Sequence, residues 1–360
     1  MIPVAEPSLG DAEAKNLQQC IASNWIAAGK FVTEFETSWA AYCGQRYGVA
    51  VSNGTVALQL ALAALELPPG SEVIIPSFTI ISCGLAALHN GLKPVLVDVR
   101  PDTWCLDPEE VEAAITPATR AIMAVHMYGH PADMQRLGHL AAVNHLRLVE
   151  DAAQAHGAEY MQMGNFRKAG GSDLSCFSFY TNKIVTSGEG GMVLTSDPAL
   201  IGKLRSLRNL CFGEGEDRFQ HTGLGHNFRM TDLQAAVGVA QVAKIEATVA
   251  RKREIAHHYR TLLKDAPLQH PVELPWAKNV YWMYGVVLNK PAAGVIRALR
   301  ERGVDSRPFF KGLHRQPGIA AARTFPVTER LSEFGLYLPS GTSITYEQQE
   351  QVARAILELL

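Results

Sequence analysis

The segment FSFYTNKIVTSGEGG, residues 177–191, sets one lysine, Lys183, between an aromatic run and a glycine cluster. A lysine there can bind a phosphate, attack a carbonyl through its free amine, or stand as an ordinary solvated loop residue. Other stretches bear on the choice. Asn53-Gly54-Thr55 follows the apolar run YGVAVS and opens a helical pattern. Backbone N–H groups at a helix start, with a glycine allowing close approach, make an anion site, although a plain cap and turn has the same sequence. Asp151 closes the run LRLVED, where a carboxylate can cap a helix, bind a metal or pair with a cationic ring nitrogen. Glu150 should point to the opposite face of its strand, which leaves a metal without a second carboxylate. Ser178 ends the run SCFSF, five residues before Lys183, and its hydroxyl can join a phosphate cradle. A phosphate pocket, a strand-end acid and a single lysine together suit pyridoxal 5'-phosphate chemistry. The lysine holds the aldehyde as a Schiff base, and the acid keeps the pyridine nitrogen protonated so that the ring draws electrons. The GxxxxGK[ST] and GxGxxG nucleotide patterns are absent.

These residues need a scaffold that brings strand ends together. From about residue 46, short β-branched runs (YGVAVS, EVIIPSF, PVLVDV, RAIMAVH, LRLVED) alternate with helical spacing over 55–66, 79–90, 108–116 and 133–144. CFSFY and GMVLTS add two more strands. That alternation predicts an α/β domain with a mostly parallel central sheet, in which ligands bind beyond the carboxyl ends of the strands. The loop 212–230 is long, Gly-rich and polar, which favours a functional role. From Thr231 the spacing predicts one long helix over some thirty positions. An aromatic strand (VYWMYGVVL), a helix near 292–302 and a C-terminal helix then complete a smaller α+β domain. The expected division is 1–230 and 231–360.

Composition narrows the function. In 360 residues the formal charge is −2, which gives no electrostatic footprint for nucleic acid or an anionic membrane. The longest apolar stretch, 56–67, is too short to span a bilayer, and the N-terminus lacks the pattern of a signal peptide. Six scattered cysteines with no CxxC pair argue against zinc and against a disulfide scaffold, and fit a reducing cytoplasm.

The ordered series SNGTVAL, EVIIPSFT, VHMYG, VEDAAQAHGA, FSFYTNK, TSGEGGMV, HNFRMTDLQAA and SRPFF–LH spans almost the whole chain. It resembles the DegT/DnrJ/EryC1/StrS family of sugar aminotransferases, which have the aspartate-aminotransferase fold. The resemblance implies that Lys183 forms the Schiff base and moves the proton between cofactor and substrate carbon. Asp151 would pair with the pyridine nitrogen and Gln154 approach the ring hydroxyl, while Gly54, Thr55 and Ser178 would hold the phosphate. Asn227 would reach the cofactor of a partner subunit, implying a homodimer with shared active sites. Lysine at 183, where dehydratase members carry histidine, favours amino transfer. The nearest pattern within the family is that of enzymes which use L-glutamate, leaving as 2-oxoglutarate, to aminate C4 of a GDP-linked 4-keto-6-deoxy sugar. Pyridoxamine 5'-phosphate is the intermediate of that cycle.

Departures from the family pattern cluster on the acceptor side. Ile80 stands where an aromatic ring usually stacks on the cofactor; Ala27 and Ala28 replace hydroxyl residues near the sugar; Lys311 and Gly312 alter the SRPFF–LH motif. Acceptors linked to UDP or dTDP, or an aminocyclitol ketone, are the alternatives these changes raise. A silent regulatory relative would be a third reading, against which the intact Lys183, Asp151, Ser178 and Asn227 count. His126, Lys311, His314 and Ala28 are the candidate acceptor contacts, with packing the alternative for His126 and solvation for Lys311. Tyr281 and Trp282 belong to the small domain's core or to the rim of the cleft.

Overall fold

The computed structural model describes residues 1–319, 321 and 323–360. Seven strands form the main sheet: β1 (Tyr47–Val51), β2 (Glu72–Pro76), β3 (Lys93–Val97), β4 (Thr119–Val125), β5 (Arg147–Asp151), and, after the hairpin β6 (Glu159–Gln162) and β7 (Asn165–Lys168), β8 (Leu174–Ser178) and β9 (Gly191–Thr195). Their order is β1-β9-β8-β5-β4-β2-β3, with every strand parallel except β9, which runs antiparallel to both neighbours. This is the expected α/β fold with its mostly parallel sheet. The strands read as unbroken apolar runs because helices cover both faces. The helix Gly54–Ala64 is apolar nearly all round for the same reason, with Ala57, Leu58, Leu60, Ala61 and Leu62 buried.

A second sheet takes the order β10-β12-β14-β13, from β10 (Leu268–Gln269), β12 (Tyr284–Leu288), β13 (Arg307–Pro308) and β14 (Gly335–Leu338). The short strand β11 (Ala277–Lys278) pairs instead with β6, tying this part of the chain to the hairpin.

One expectation needs correcting. The segment from Thr231 forms two helices, Asp232–Ala243 and Ile245–Leu262. Lys244 breaks them at φ −111°, ψ 9°. Its ammonium is drawn to Glu13 at 2.7 Å and to the Ser8 carbonyl at 2.7 Å, both on the N-terminal segment. Tertiary anchoring, rather than a glycine or proline, sets that bend. The N-terminal helices Asp11–Ala22 and Lys30–Tyr42 pack on Asp232–Ala243, and the Asp232 carboxylate receives the backbone N–H groups of Gly29 and Val32.

Candidate active site

β9 decides how the strand ends meet. Because it is antiparallel, its first residue, Gly191, lies opposite both Ser178 and Val51, the last residues of β8 and β1. A Cβ on Gly191 would sit 2.3 Å from the Asn53 carbonyl oxygen, so only glycine lets the three segments close up. Asn53 caps the helix Gly54–Ala64 by accepting from the Val56 N–H at 3.0 Å, which leaves the first backbone donors of that helix unengaged. Gly54 then packs on Ser178, where a Cβ would meet the Ser178 Cβ at 2.6 Å. Thr55 Oγ1 and Ser82 Oγ share a hydrogen bond of 2.8 Å alongside. The result is a concave cradle of N–H groups and hydroxyls at the positive end of a helix, suited to a phosphate.

A cavity of about 610 Å³ opens from this cradle, lined by Gly54, Thr55, Ser82, Ser178, Asp151, Gln154, Ile80 and Lys183, among others. Asp151 is almost fully buried, and each carboxylate oxygen has a fixed donor. Oδ1 accepts from the Ala153 N–H at 3.0 Å and Oδ2 from the Cys83 thiol at 3.2 Å. The thiol stays protonated, because burial and then the Asp151 charge push its pKa well up. The Tyr128 N–H donates to Gln154 Oε1 at 2.8 Å, so the Gln154 amide nitrogen is the end free to donate. Tyr128 itself has a positive φ of 50°, a strained backbone of the kind that accompanies ligand sites.

Lys183 completes the set. Burial pulls its amine down to about 8, with the Asp151 charge opposing. A fraction of the amine is therefore neutral and nucleophilic near pH 7. Its Nζ rests over the Trp282 ring, 3.8 Å from the centroid. Phe310, Tyr337, Tyr180 and Glu189 also line the cavity.

Other expected site residues lie elsewhere. His126 is fully buried with both nitrogens engaged: the Ala132 N–H donates to Nδ1 at 3.0 Å, so Nε2 carries the proton toward Glu150 at 3.2 Å. His126 is a packing group, and Glu150 does face away from the cavity, accepting also from Tyr160 and from the backbone of Gly170 and Ser172. Nδ1 of His314 is bonded to Ser77 Oγ at 2.7 Å, and Lys311 is exposed. Neither is among the described residues lining the cavity. Ala28 and Asn227, with Ala27, Arg208 and Arg229, line a separate recess of about 660 Å³. Ser82 and Cys83 are contacts that spacing did not single out, while Trp282 takes the place at the cleft that the sequence offered as the alternative to core packing. Ser82 and Cys83 follow PSFTII as the first two residues of the helix Ser82–His89, six and seven residues past the end of β2, a position the strand-end rule passes over.

The arrangement fits pyridoxal 5'-phosphate. The cradle that a Cβ at Gly54 would fill suits its phosphate, Asp151 its ring nitrogen, Gln154 its ring hydroxyl and Lys183 its aldehyde. Among the described residues no group of three or more His, Cys, Asp or Glu is placed to hold a metal. A doubly covered sheet with lysine, acid and phosphate cradle at its strand ends defines a pyridoxal-phosphate-dependent aminotransferase. The chain belongs to the DegT/DnrJ/EryC1/StrS aminotransferase family, whose model matches residues 7–357. GDP-perosamine synthase of Caulobacter vibrioides is 38% identical over 374 residues, covering 100% of this chain and 98% of that protein. The dTDP-3-amino-3,4,6-trideoxy-alpha-D-glucose transaminase of Streptomyces venezuelae is 38% identical over 332 residues, 90% of this chain and 86% of that one. The crystal structure of S. venezuelae DesV superposes with a TM-score of 0.90 at 34% identity, covering 99% and 98% of the two chains.

Proposed function

We propose that this chain moves the amino group of L-glutamate to C4 of GDP-4-keto-6-deoxy-D-mannose, giving GDP-perosamine. The observation that carries the chemistry is Lys183, an amine at about 8 facing Asp151 across a cavity with a phosphate cradle. The acceptor rests on full-length similarity to GDP-perosamine synthase.

Bound pyridoxal phosphate would supply an aldehyde to take up the amino group and a ring that draws electrons from the reacting carbon. This chain's residues do the rest. Backbone N–H groups of Gly54 and Thr55, with the Ser178 hydroxyl, bind the phosphate. Asp151, fixed by Ala153 and Cys83, holds a proton on the ring nitrogen. Gln154 orients the ring through its hydroxyl. Lys183 would take the proton from the donor carbon as its free amine and pass it to the cofactor's aldehyde carbon, and run the same transfer in reverse toward the sugar carbon.

The active unit is a homodimer with shared sites, since Asn227 is exposed and lies in a different recess from Lys183 within one chain. The enzyme works in the cytoplasm, in keeping with six buried free thiols and, among the described residues, no helix long and apolar enough to cross a membrane.

A second reading keeps the chemistry and changes the acceptor to a UDP- or dTDP-linked keto sugar or an aminocyclitol ketone. The exposed Ile80 on the cavity rim and the 38% identical dTDP-sugar transaminase favour it. Protein loaded with cofactor, bleached with glutamate and freed of donor separates the two. Visible absorbance returns with the GDP-linked 4-keto-6-deoxy sugar on the first reading, and with the UDP- or dTDP-linked sugar on the second. Lys183→Ala gives no return with any of them; turnover by that variant would sink both readings.

A further inference from the structure

We propose that Trp282 is the positioning residue for the reactive amine: its indole face is the resting place of Lys183 whenever that amine is not covalently engaged, and its N–H fixes the turn that carries it. The inference rests on the reading of Lys183 as the cofactor lysine.

Two contacts of different kinds support it. Lys183 Nζ lies 3.8 Å from the Trp282 ring centroid, well inside the range in which an ammonium is held by a π-face. The indole Nε1–H donates to the carbonyl of Asn182, the residue just before Lys183, at 2.7 Å. One side chain thus holds both the head of the lysine and the backbone from which it springs.

Trp282 is itself held firmly. It is 4% exposed and stacks on Tyr128 at 6.1 Å with an interplanar angle of 19°. The preceding Tyr281 takes a φ of 49° and its N–H is bound by Asn279 Oδ1 at 2.7 Å. Val280 donates to the Gly129 carbonyl at 3.2 Å. A Cβ on Gly129, whose φ is +104°, would lie 2.7 Å from the nitrogens of both Tyr281 and Trp282. A non-glycine residue in a strained conformation against an obligatory glycine is costly, and persists where the surroundings over-determine it. Here the strained segment delivers one indole to one lysine.

The consequence is chemical. Burial favours the neutral amine and Asp151 the charged one; the indole face adds to the second side. The other titratable groups near this turn are Glu189, Tyr180 and Tyr337 on the cavity wall, His156, which burial and then the Lys183 charge push down to about 3, and Lys252 and Glu6, which line a small recess behind Lys183 and Trp282. His156 is therefore neutral at working pH, and Asp151 is the carboxylate whose charge supports the ammonium of Lys183, with the Trp282 face beside it.

The test uses cofactor-stripped protein and its Lys183→Ala variant as a blank. Trinitrobenzenesulfonate labelling of Lys183 is followed by peptide mass between pH 6 and 10. Trp282→Leu should lower the pH midpoint of labelling by about one unit, giving roughly fivefold faster labelling at pH 7. Trp282→Phe keeps a face and loses the N–H, so its midpoint should move by less than half as much. After reloading with cofactor, its visible circular dichroism band should weaken because the turn is no longer fixed. Superimposable labelling profiles for wild type and both variants would overturn the proposal, and Trp282→Phe decides alone should Trp282→Leu not fold. Absence of any cofactor colour in the wild type would remove the functional reading and leave the labelling comparison standing.

Discussion

Gly54→Ala tests the cradle directly. The added Cβ would lie 2.6 Å from the Ser178 Cβ and 3.2 Å from its Cα and Oγ. Carbon atoms in ordinary contact stand about 3.5–4.0 Å apart, so the helix start and the end of β8 must part by about 1 Å. Both are pinned, Ser178 in the ladder with Gly191 and the helix by its Asn53 cap, which makes an inexpensive side-chain adjustment impossible. Strain of this kind costs about 1–3 kcal/mol. Taken from the phosphate contacts, it weakens cofactor binding about 5- to 150-fold. Absorbance titration of stripped protein with pyridoxal 5'-phosphate reads this. Gly202→Ala is the control: it lies in the helix Pro198–Arg208, and a Cβ there meets nothing within 4 Å. That control should bind cofactor as the wild type does and melt about 1 °C higher, from helix propensity alone. An affinity for Gly54→Ala within twofold of wild type, at an unchanged melting temperature, would refute the cradle.

Further outcomes follow from buried polar groups. Glu150→Gln sets a donor amide among the four donors that now converge on the carboxylate; it should cost about 2–4 kcal/mol, read as a fall of several degrees in melting temperature, and an unchanged curve would show the network to be slack. His130 and His156 are buried neutral, burial pulling their pKa values to about 4 and about 3 from 6.5. The unfolded chain takes up protons below pH 6.5 and the native chain does not, so this stability is intact above 6.5 and drains as pH falls toward 4 and 3. At pH 5 the two histidines together cost about 4 kcal/mol, and a denaturation midpoint equal at pH 7.5 and 5.0 would contradict it. In the same experiment His156→Phe should flatten the profile by about half.

The strand ends were legible in the sequence because of how a parallel sheet is built. Strands buried on both faces leave unbroken apolar runs, and the residue after each run lands on one edge of the sheet. That rule alone gathers Gly54, Thr55, Asp151, Ser178 and Lys183. It fails for His126, which follows β4 but is spent on Glu150 and Ala132, since side-chain direction is not encoded in spacing. The hairpin β6–β7 went unread because much of it is exposed and polar, with no apolar face to make a period. The bend at Lys244 left no local signal either, being imposed by Glu13 and Ser8 far away in sequence. Trp282 reads as the start of a core strand, yet β12 begins two residues later and the indole is spent on Asn182 and Lys183.

The stretch 226–229 is stitched to the cradle: the Ser52 N–H donates to the Phe228 carbonyl at 2.9 Å, and Val51 bridges Arg229. Asn227, between His226 and Phe228, is exposed. Whatever seats against Asn227 therefore pulls on the same backbone that shapes the phosphate pocket of its own chain. By linkage, a partner that tightens cofactor binding is itself bound more tightly by the loaded protein, and by the same factor. For the proposed homodimer, cofactor content and the monomer–dimer equilibrium are then thermodynamically coupled, so that dilution should strip the cofactor and cofactor depletion should dissociate the pair.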